Sequence, residues 1–147
     1  MQYSDYLLNV LKWSCPFCNI KKEYILEKWK HFTVILARAP YAPDHLLIVP
    51  NRHIIRLKEI KSEERKTLVP LIEKWTKKLE KIHKEVNLLL RDWVANWVSG
   101  KSIDHMHFHL VPDCEIYAKT SWWSRKALSD YRLAKKTEEI KSKLKSK

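Results

Sequence analysis

An α+β domain with a mainly antiparallel sheet is the fold class this sequence predicts, on three observations. Short runs rich in Tyr, Ile, Val and Thr recur between residues 23 and 50, the composition of strands. Residues 62–86 carry an apolar stripe at alternating steps of four and three, the spacing of a long amphipathic helix. His105-Met106-His107-Phe108-His109-Leu110-Val111-Pro112 alternates polar and apolar residues, which is strand periodicity. A chain of 147 residues, 45% of them hydrophobic, is long and apolar enough to bury a core as one domain. Residues 1–114 form that domain in this reading. Residues 115–147 form a basic, helical C-terminal extension, packed on the domain or trailing from it.

Each element has its own signal. Residues 3–13, with Tyr3, Tyr6, Leu7, Val10 and Leu11, have helical apolar spacing and lead into Cys15-Pro16-Phe17-Cys18. Glu23 to Glu27 and Phe32 to Ala37 read as a strand hairpin. Ala39-Pro40-Tyr41-Ala42-Pro43-Asp44 is a loop, because two prolines cannot sit in a central ladder. His45 to Pro50 is a buried strand, with His45 satisfying backbone groups of that loop. Ser62 is the expected N-cap of the long helix, with Glu63 and Glu64 in its first turn. The stripe is Leu68, Ile72, Trp75, Leu79, Ile82 and Val86, and Pro70 predicts a kink or a broken first segment. Leu88 to Val98 reads as a strand with Trp93 and Trp97 on one parity, suited to pack on the helix or a second subunit. Ser99-Gly100-Lys101 is a tight turn into the histidine strand, and Trp122-Trp123 precede the lysine-rich helical tail.

No apolar stretch is long enough to span a bilayer, and the N-terminus has no basic segment followed by an apolar one. A soluble, cytoplasmic protein with no membrane partner is the expectation. Three cysteines make no disulfide framework, and Cys15 and Cys18 at Cys-x-x-Cys spacing point to metal or redox chemistry, or to an inert reduced pair. Cys114 reads as an ordinary thiol, and His31 and His83 as surface or part-buried residues. The net charge is +12, and residues 115–147 hold 10 basic and 4 acidic residues of the 29 and 17 in the chain. That balance suggests a polyanionic partner or substrate, or a solvated lysine face.

The histidine run carries the chemistry. Period two puts His105, His107 and His109 on one face and Met106, Phe108 and Leu110 on the other. Neutral imidazoles near pH 7 can ligate metal, relay protons, or attack and cradle a phosphate. Surface histidines on a strand are the plain alternative.

The run His-φ-His-φ-His-φ-φ ending in Pro112 (φ, apolar) resembles the signature of the histidine triad superfamily of nucleotide hydrolases and transferases. The segment from Ala39 to His53, with His45-Leu46-Leu47-Ile48-Val49-Pro50 inside it, is similar to the family's loop and strand before the long helix. The likeness covers roughly residues 15–113 and leaves the tail aside. It implies a covalent nucleotidyl intermediate at the α-phosphorus on His107. It also implies phosphate contacts from His109 and Ser102, a homodimer, and a nucleotide substrate. Lys101 stands near a position usually amide-bearing, where a cation suits a phosphate. In the zinc-bearing branch of the family, Cys15 and Cys18 join residues matching His53 and His105 around zinc. Four such ligands leave no open position, so the zinc would be structural.

The sequence also departs from the family pattern. Ala37 stands where many members carry a ribose-binding Asp or Asn, the glycine-rich approach is shortened to Ser99-Gly100-Lys101-Ser102, and Asp113 replaces a common Arg. These changes bear on substrate identity more than on reaction type. Three alternatives stay open. One is a nucleic-acid-binding or end-processing protein resembling aprataxin, using the basic tail and Trp122-Trp123. Another is a degenerate nucleotide binder, and the third a hydrolase with catalytic zinc held by triad histidines.

Overall fold

Five short, largely aliphatic runs pair into one antiparallel sheet in the computed structural model, which describes residues 1–12, 14–96, 99–114 and 125–145. The strands are β1 (Ile25–Lys28), β2 (Phe32–Leu36), β3 (Leu46–Pro50), β4 (Val86–Leu90) and β5 (Phe108–Pro112). The helices are α1 (Tyr3–Val10), α2 (Ser62–Glu80) and α3 (Asp130–Lys145). The spatial order is β1-β2-β3-β5-β4, so β3 and β5 are central neighbours and β4 is an open edge. Every residue of β2, β3 and β5 is buried, whereas β1 and β4 are only partly covered. Continuous apolar runs in the middle and mixed ones at the edges follow from that coverage.

The strand period sorts the two faces. Val34, Leu36, Leu46, Ile48, Phe108 and Leu110 join Leu68, Leu71, Trp75 and Leu79 of α2 in the main core. Ile35, Ala37, Leu47 and Val49 form a second cluster on the alternate parity, which is also the parity of His109. Removing Leu71 or Leu79, both fully buried, is the kind of change that costs about 2–5 kcal/mol. α3 buries Leu133, Thr137 and Ile140, spaced by four and three, and its first and last turns are tied by Arg38–Asp130 (2.9 Å) and Lys143–Asp44 (3.0 Å). Its packing makes the C-terminal helix part of the fold.

Several boundaries differ from expectation, each for a physical reason. Lys61 is the N-cap of α2, and its N–H donates to Glu64 Oε1 (2.8 Å), so Ser62 is the first helical residue. α2 runs unbroken through Pro70, because Pro70 and Lys66 lie on the exposed face, where water can satisfy the carbonyl the ring leaves without a donor. Leu71 is buried although the predicted stripe omitted it, Ile82 follows the helix, and Val86 opens β4. β4 stops at Leu90, whose partner Phe108 is the first residue of β5. Beyond it Asp92 turns to accept from the Leu57 N–H (2.7 Å), and Trp93 is half exposed beneath Arg56. Trp97, Val98 and Trp122-Trp123 lie outside the described residues.

The histidine strand is shorter at its start than the sequence suggests. β3 and β4 both end their pairing at Phe108, so Met106 N–H donates to the Ile54 carbonyl (2.6 Å) instead of to a strand. His105 therefore lies in a bend, and His107 just before β5. Among the described residues no helix is long and apolar enough to cross a membrane.

Candidate active site and metal cluster

Register brings the histidines together. Leu47 faces His109 across β3 and β5, and His45, two residues before Leu47, falls on the same face. His45, His107 and His109 are all buried, with ring centroids 5.1 Å apart for His45–His109 and 4.8 Å for His107–His109. They line a cavity of about 580 Å³ shared with Tyr3, Tyr41 and Ser102. That volume falls in the range of small-molecule sites. α1 and the stretch before α3 wall the cavity, joined by a Gln2–Lys126 bridge and by Tyr3 N–H to the Arg125 carbonyl (2.8 Å).

Backbone groups fix the tautomer of each imidazole in turn. Tyr41 N–H donates to His45 Nδ1 (3.1 Å), so a neutral His45 carries its proton on Nε2. That Nε2–H donates to His109 Nδ1 (2.9 Å), which leaves His109 with its proton on Nε2, buried and unpartnered. His107 Nδ1–H donates to the His105 carbonyl (2.7 Å), so its lone pair is on Nε2. Burial keeps these rings neutral. It pulls His107 down to about 4 despite the His105 carbonyl, and His45 to about 3 with help from Arg125 and His107. His109 falls well below its ordinary value, first by burial and then through His107 and His45. The cavity thus presents one basic imidazole nitrogen and, beside it, one imidazole N–H donor.

His105 turns elsewhere. Its Nε2–H donates to the Pro50 carbonyl (2.8 Å), leaving the Nδ1 lone pair toward Cys15 Sγ (3.4 Å), Cys18 Sγ (3.5 Å) and His53 Nδ1 (3.1 Å). Cys18 Sγ is 3.1 Å from His53 Nδ1, and all four ligand atoms lie within 4.8 Å of one another. A tetrahedral Cys₂His₂ ion requires edges of about 3.3 Å between nitrogens and about 3.6 Å between sulfur and nitrogen. The donor set fits a metal ion. The knuckle also seats Phe17, whose ring meets His107 edge-on at 5.1 Å and His105 at 5.8 Å.

The predicted residues divide unevenly. Cys15, Cys18, His53 and His105 converge in one cluster that could hold a metal ion, and His107, His109 and Ser102 at the cavity. Ser102 Oγ shares a hydrogen bond with the Tyr3 hydroxyl (3.1 Å). Lys101 lines the same cavity, but its buried ammonium donates to the carbonyls of Ile55 (2.8 Å) and Trp93 (2.7 Å). That use accounts for the side chain without a phosphate. His45 meets the loop as expected, and its bond to His109 is an addition. His83 is part-buried between Asp44 (2.8 Å) and Asp113 (3.0 Å). Arg91, Arg125, Tyr3 and Tyr41 went unnoticed as cavity residues. Only the arginines' net positive charge was visible, and no short motif joins residues so far apart in sequence.

The sequence matches the family described as the HIT domain over residues 19–116. It is 29% identical over 137 residues to the adenosine 5'-monophosphoramidase of Schizosaccharomyces pombe, covering 90% of this chain and 99% of that protein. Among solved structures, a zinc-bound histidine triad family protein from Mycobacterium smegmatis superposes with TM-score 0.64 and 18% identity, covering 90% of this chain and 96% of that one. The diadenosine triphosphate hydrolase of Plasmodium falciparum gives TM-score 0.68 and 17% identity, covering 100% and 99%. These two likenesses speak for the fold.

Proposed function

The chain belongs to the HIT domain family, and from that premise we propose that it hydrolyses or transfers a nucleoside monophosphate held on a leaving group, through a nucleotidyl-His107 intermediate. The observation that carries this reading is the tautomer chain: His107 offers Nε2 with its lone pair, and His109 offers Nε2–H beside it. Attack of His107 Nε2 on the α-phosphorus forms an N–P bond, and the bond to the leaving group breaks with its electron pair. The leaving group takes up a proton. Water then forms the new O–P bond and gives up a proton, while the N–P bond pair returns to His107. His109 Nε2–H and the Ser102 hydroxyl donate to the non-bridging oxygens as their charge grows. The phosphoramidase activity of the S. pombe relative supports a P–N adduct as one substrate.

Zinc is the metal that two thiolates and two imidazoles suit best, and Cys15, Cys18, His53 and His105 would hold it with no position left for substrate. Bound there, it would contribute folding stability. A homodimer in the cytoplasm completes the reading, with the open edge of β4 and its exposed Leu88 as a surface for a second copy.

The test uses radiolabelled adenosine 5'-phosphoramidate and dinucleoside polyphosphates with wild type and His107→Ala. The expected result is an acid-labile labelled protein in wild type only, and a loss of turnover of at least ~10³-fold in the variant. Turnover by H107A within twofold of wild type would overturn the covalent mechanism.

A further inference from the structure

The cavity carries more positive charge than one phosphoryl group needs. Among the described residues its walls include five basic side chains, Lys21, Arg38, Arg91, Lys101 and Arg125, against one acid, Asp130. That acid is already paired with Arg38. Among the described residues, neither Arg91 nor Arg125 meets a carboxylate. Both are nevertheless held in place. Arg125 Nη1 donates to the Ala39 carbonyl (2.6 Å), and its guanidinium lies 4.7 Å from the Tyr3 ring and 4.4 Å from the Tyr41 ring. Arg91 Nη1 donates to the Ser99 carbonyl (3.1 Å) and rests on Gly100, where a Cβ would come within 3.0 Å of it. The Nε of each is buried and has no hydrogen-bond partner among the described residues, as is the case for His109 Nε2.

Buried donors without acceptors are uncommon, and they point to a ligand that supplies oxygens. Burial weakens Arg125's hold on its proton against the countering phenols of Tyr41 and Tyr3, and the charge of Arg91 adds a smaller push the same way. A nucleoside monophosphate adduct with a neutral leaving group brings a single negative charge at its phosphorus. Two unpaired guanidiniums call for a second.

We propose that Arg91 and Arg125 form an anion subsite next to His107 and His109, and that the adduct's leaving group bears a carboxylate or phosphate which binds there. The inference rests on the reading of His107 as the attacking group, and it narrows the substrate to adducts with an anionic leaving group. Arg91 lies within the residues matched to the family and Arg125 beyond them, so the C-terminal stretch would supply one of the two cations.

Matched pairs of phosphoramidates test it with the full-length protein. One arm compares AMP–glycine with AMP–glycinamide. The other compares AMP–aminoethyl phosphate with AMP–ethanolamine, which separates carboxylate from phosphate recognition. Wild type should favour the anionic member by about tenfold or more in kcat/KM in at least one arm. The ratio should fall toward one in Arg91→Gln and Arg125→Gln, and be partly kept in Arg125→Lys. A wild-type ratio near one in both arms would overturn the proposal, as would variants that slow both members of a pair equally. Equilibrium binding of ADP and AMP, read by tryptophan fluorescence, keeps the question separate from turnover. If no adduct is cleaved, the His107 reading fails on its own. ADP binding about tenfold tighter than AMP in wild type, and no tighter in the Gln variants, would still uphold the subsite. Equal binding by wild type would sink it.

Discussion

Replacing His45 tests whether a backbone amide sets the protonation of the reacting centre. In His45→Leu the Tyr41 N–H (3.1 Å) and His109 Nδ1 (2.9 Å) both lose their partner inside a cavity wall where His45 is 1% exposed. Each orphaned buried group costs about 1–3 kcal/mol, so a loss of about 2–5 kcal/mol is expected after some relaxation. With its Nδ1 released, His109 can move the proton from Nε2. A bond worth about 0.5–1.5 kcal/mol then no longer holds the donor tautomer, which corresponds to a roughly 2- to 12-fold fall in turnover from that effect alone. His45→Gln can accept from Tyr41 N–H through its oxygen and donate to His109 through its amide, so it should recover part of both losses. Urea unfolding followed by tryptophan fluorescence measures the first quantity, and kcat for the best adduct the second. The reasoning fails if H45L unfolds within 0.5 kcal/mol of wild type, or if H45Q is no better than H45L in either measurement.

Purified protein should contain about one zinc per chain, and Cys18→Ser should lose it and melt at least 5 °C lower, an estimate of roughly 2 kcal/mol for a chain of this size. A metal-free wild type, or an unchanged melting point in C18S, would remove the structural role assigned to the cluster. Gly100 has φ +70°, where an L side chain is strained by about 1–2 kcal/mol, and an added Cβ meets the movable tip of Arg91. Gly100→Ala should therefore lower stability by about that amount and reduce the preference for anionic leaving groups; unchanged stability would contradict it. Burial alone would raise the Asp92 carboxyl, but the Leu57 N–H and the Arg56 guanidinium outweigh it and hold Asp92 below its ordinary range. Its contribution is thus present above about pH 3.8 and is lost as pH falls through the lowered value. The stability gap between wild type and Asp92→Asn should shrink between pH 6 and pH 3, and a gap that stays constant would refute the assignment.

What could be read from the sequence was whatever a short local pattern encodes. The strands β2 and β3 are legible in composition, β5 in its alternation and α2 in its stripe, because burial on one face repeats every few residues. The metal cluster was legible for a related reason: Cys15 and Cys18 sit on one turn, and the family likeness added His53 and His105. Boundaries were less legible because a strand ends where its partner ends. Nothing in Leu88 to Val98 says that β5 begins opposite Leu90, and nothing within the histidine run says that Met106 N–H turns to Ile54.

The same limit governs the site, and it explains how three alternating histidines came to differ in chemistry. An imidazole's role depends on which nitrogen carries the proton, and here backbone groups set that choice, some near in sequence and some far. The Pro50 carbonyl takes the Nε2–H of His105 and frees Nδ1 for a metal. The His105 carbonyl takes the Nδ1–H of His107 and leaves the lone pair on Nε2, the atom proposed to attack. The Tyr41 amide acts through His45 to leave His109 with a proton on Nε2. A cation in the cluster would hold the His105 ring, so the bend presenting its carbonyl to His107 would be held as well. A metal held there and the proposed nucleophile would be joined through one peptide group, without the metal reaching the cavity. Exchanging any two of these histidines in sequence would change nothing, since the residue type is the same; moving Pro50, His105 or Tyr41 in the fold would change the chemistry.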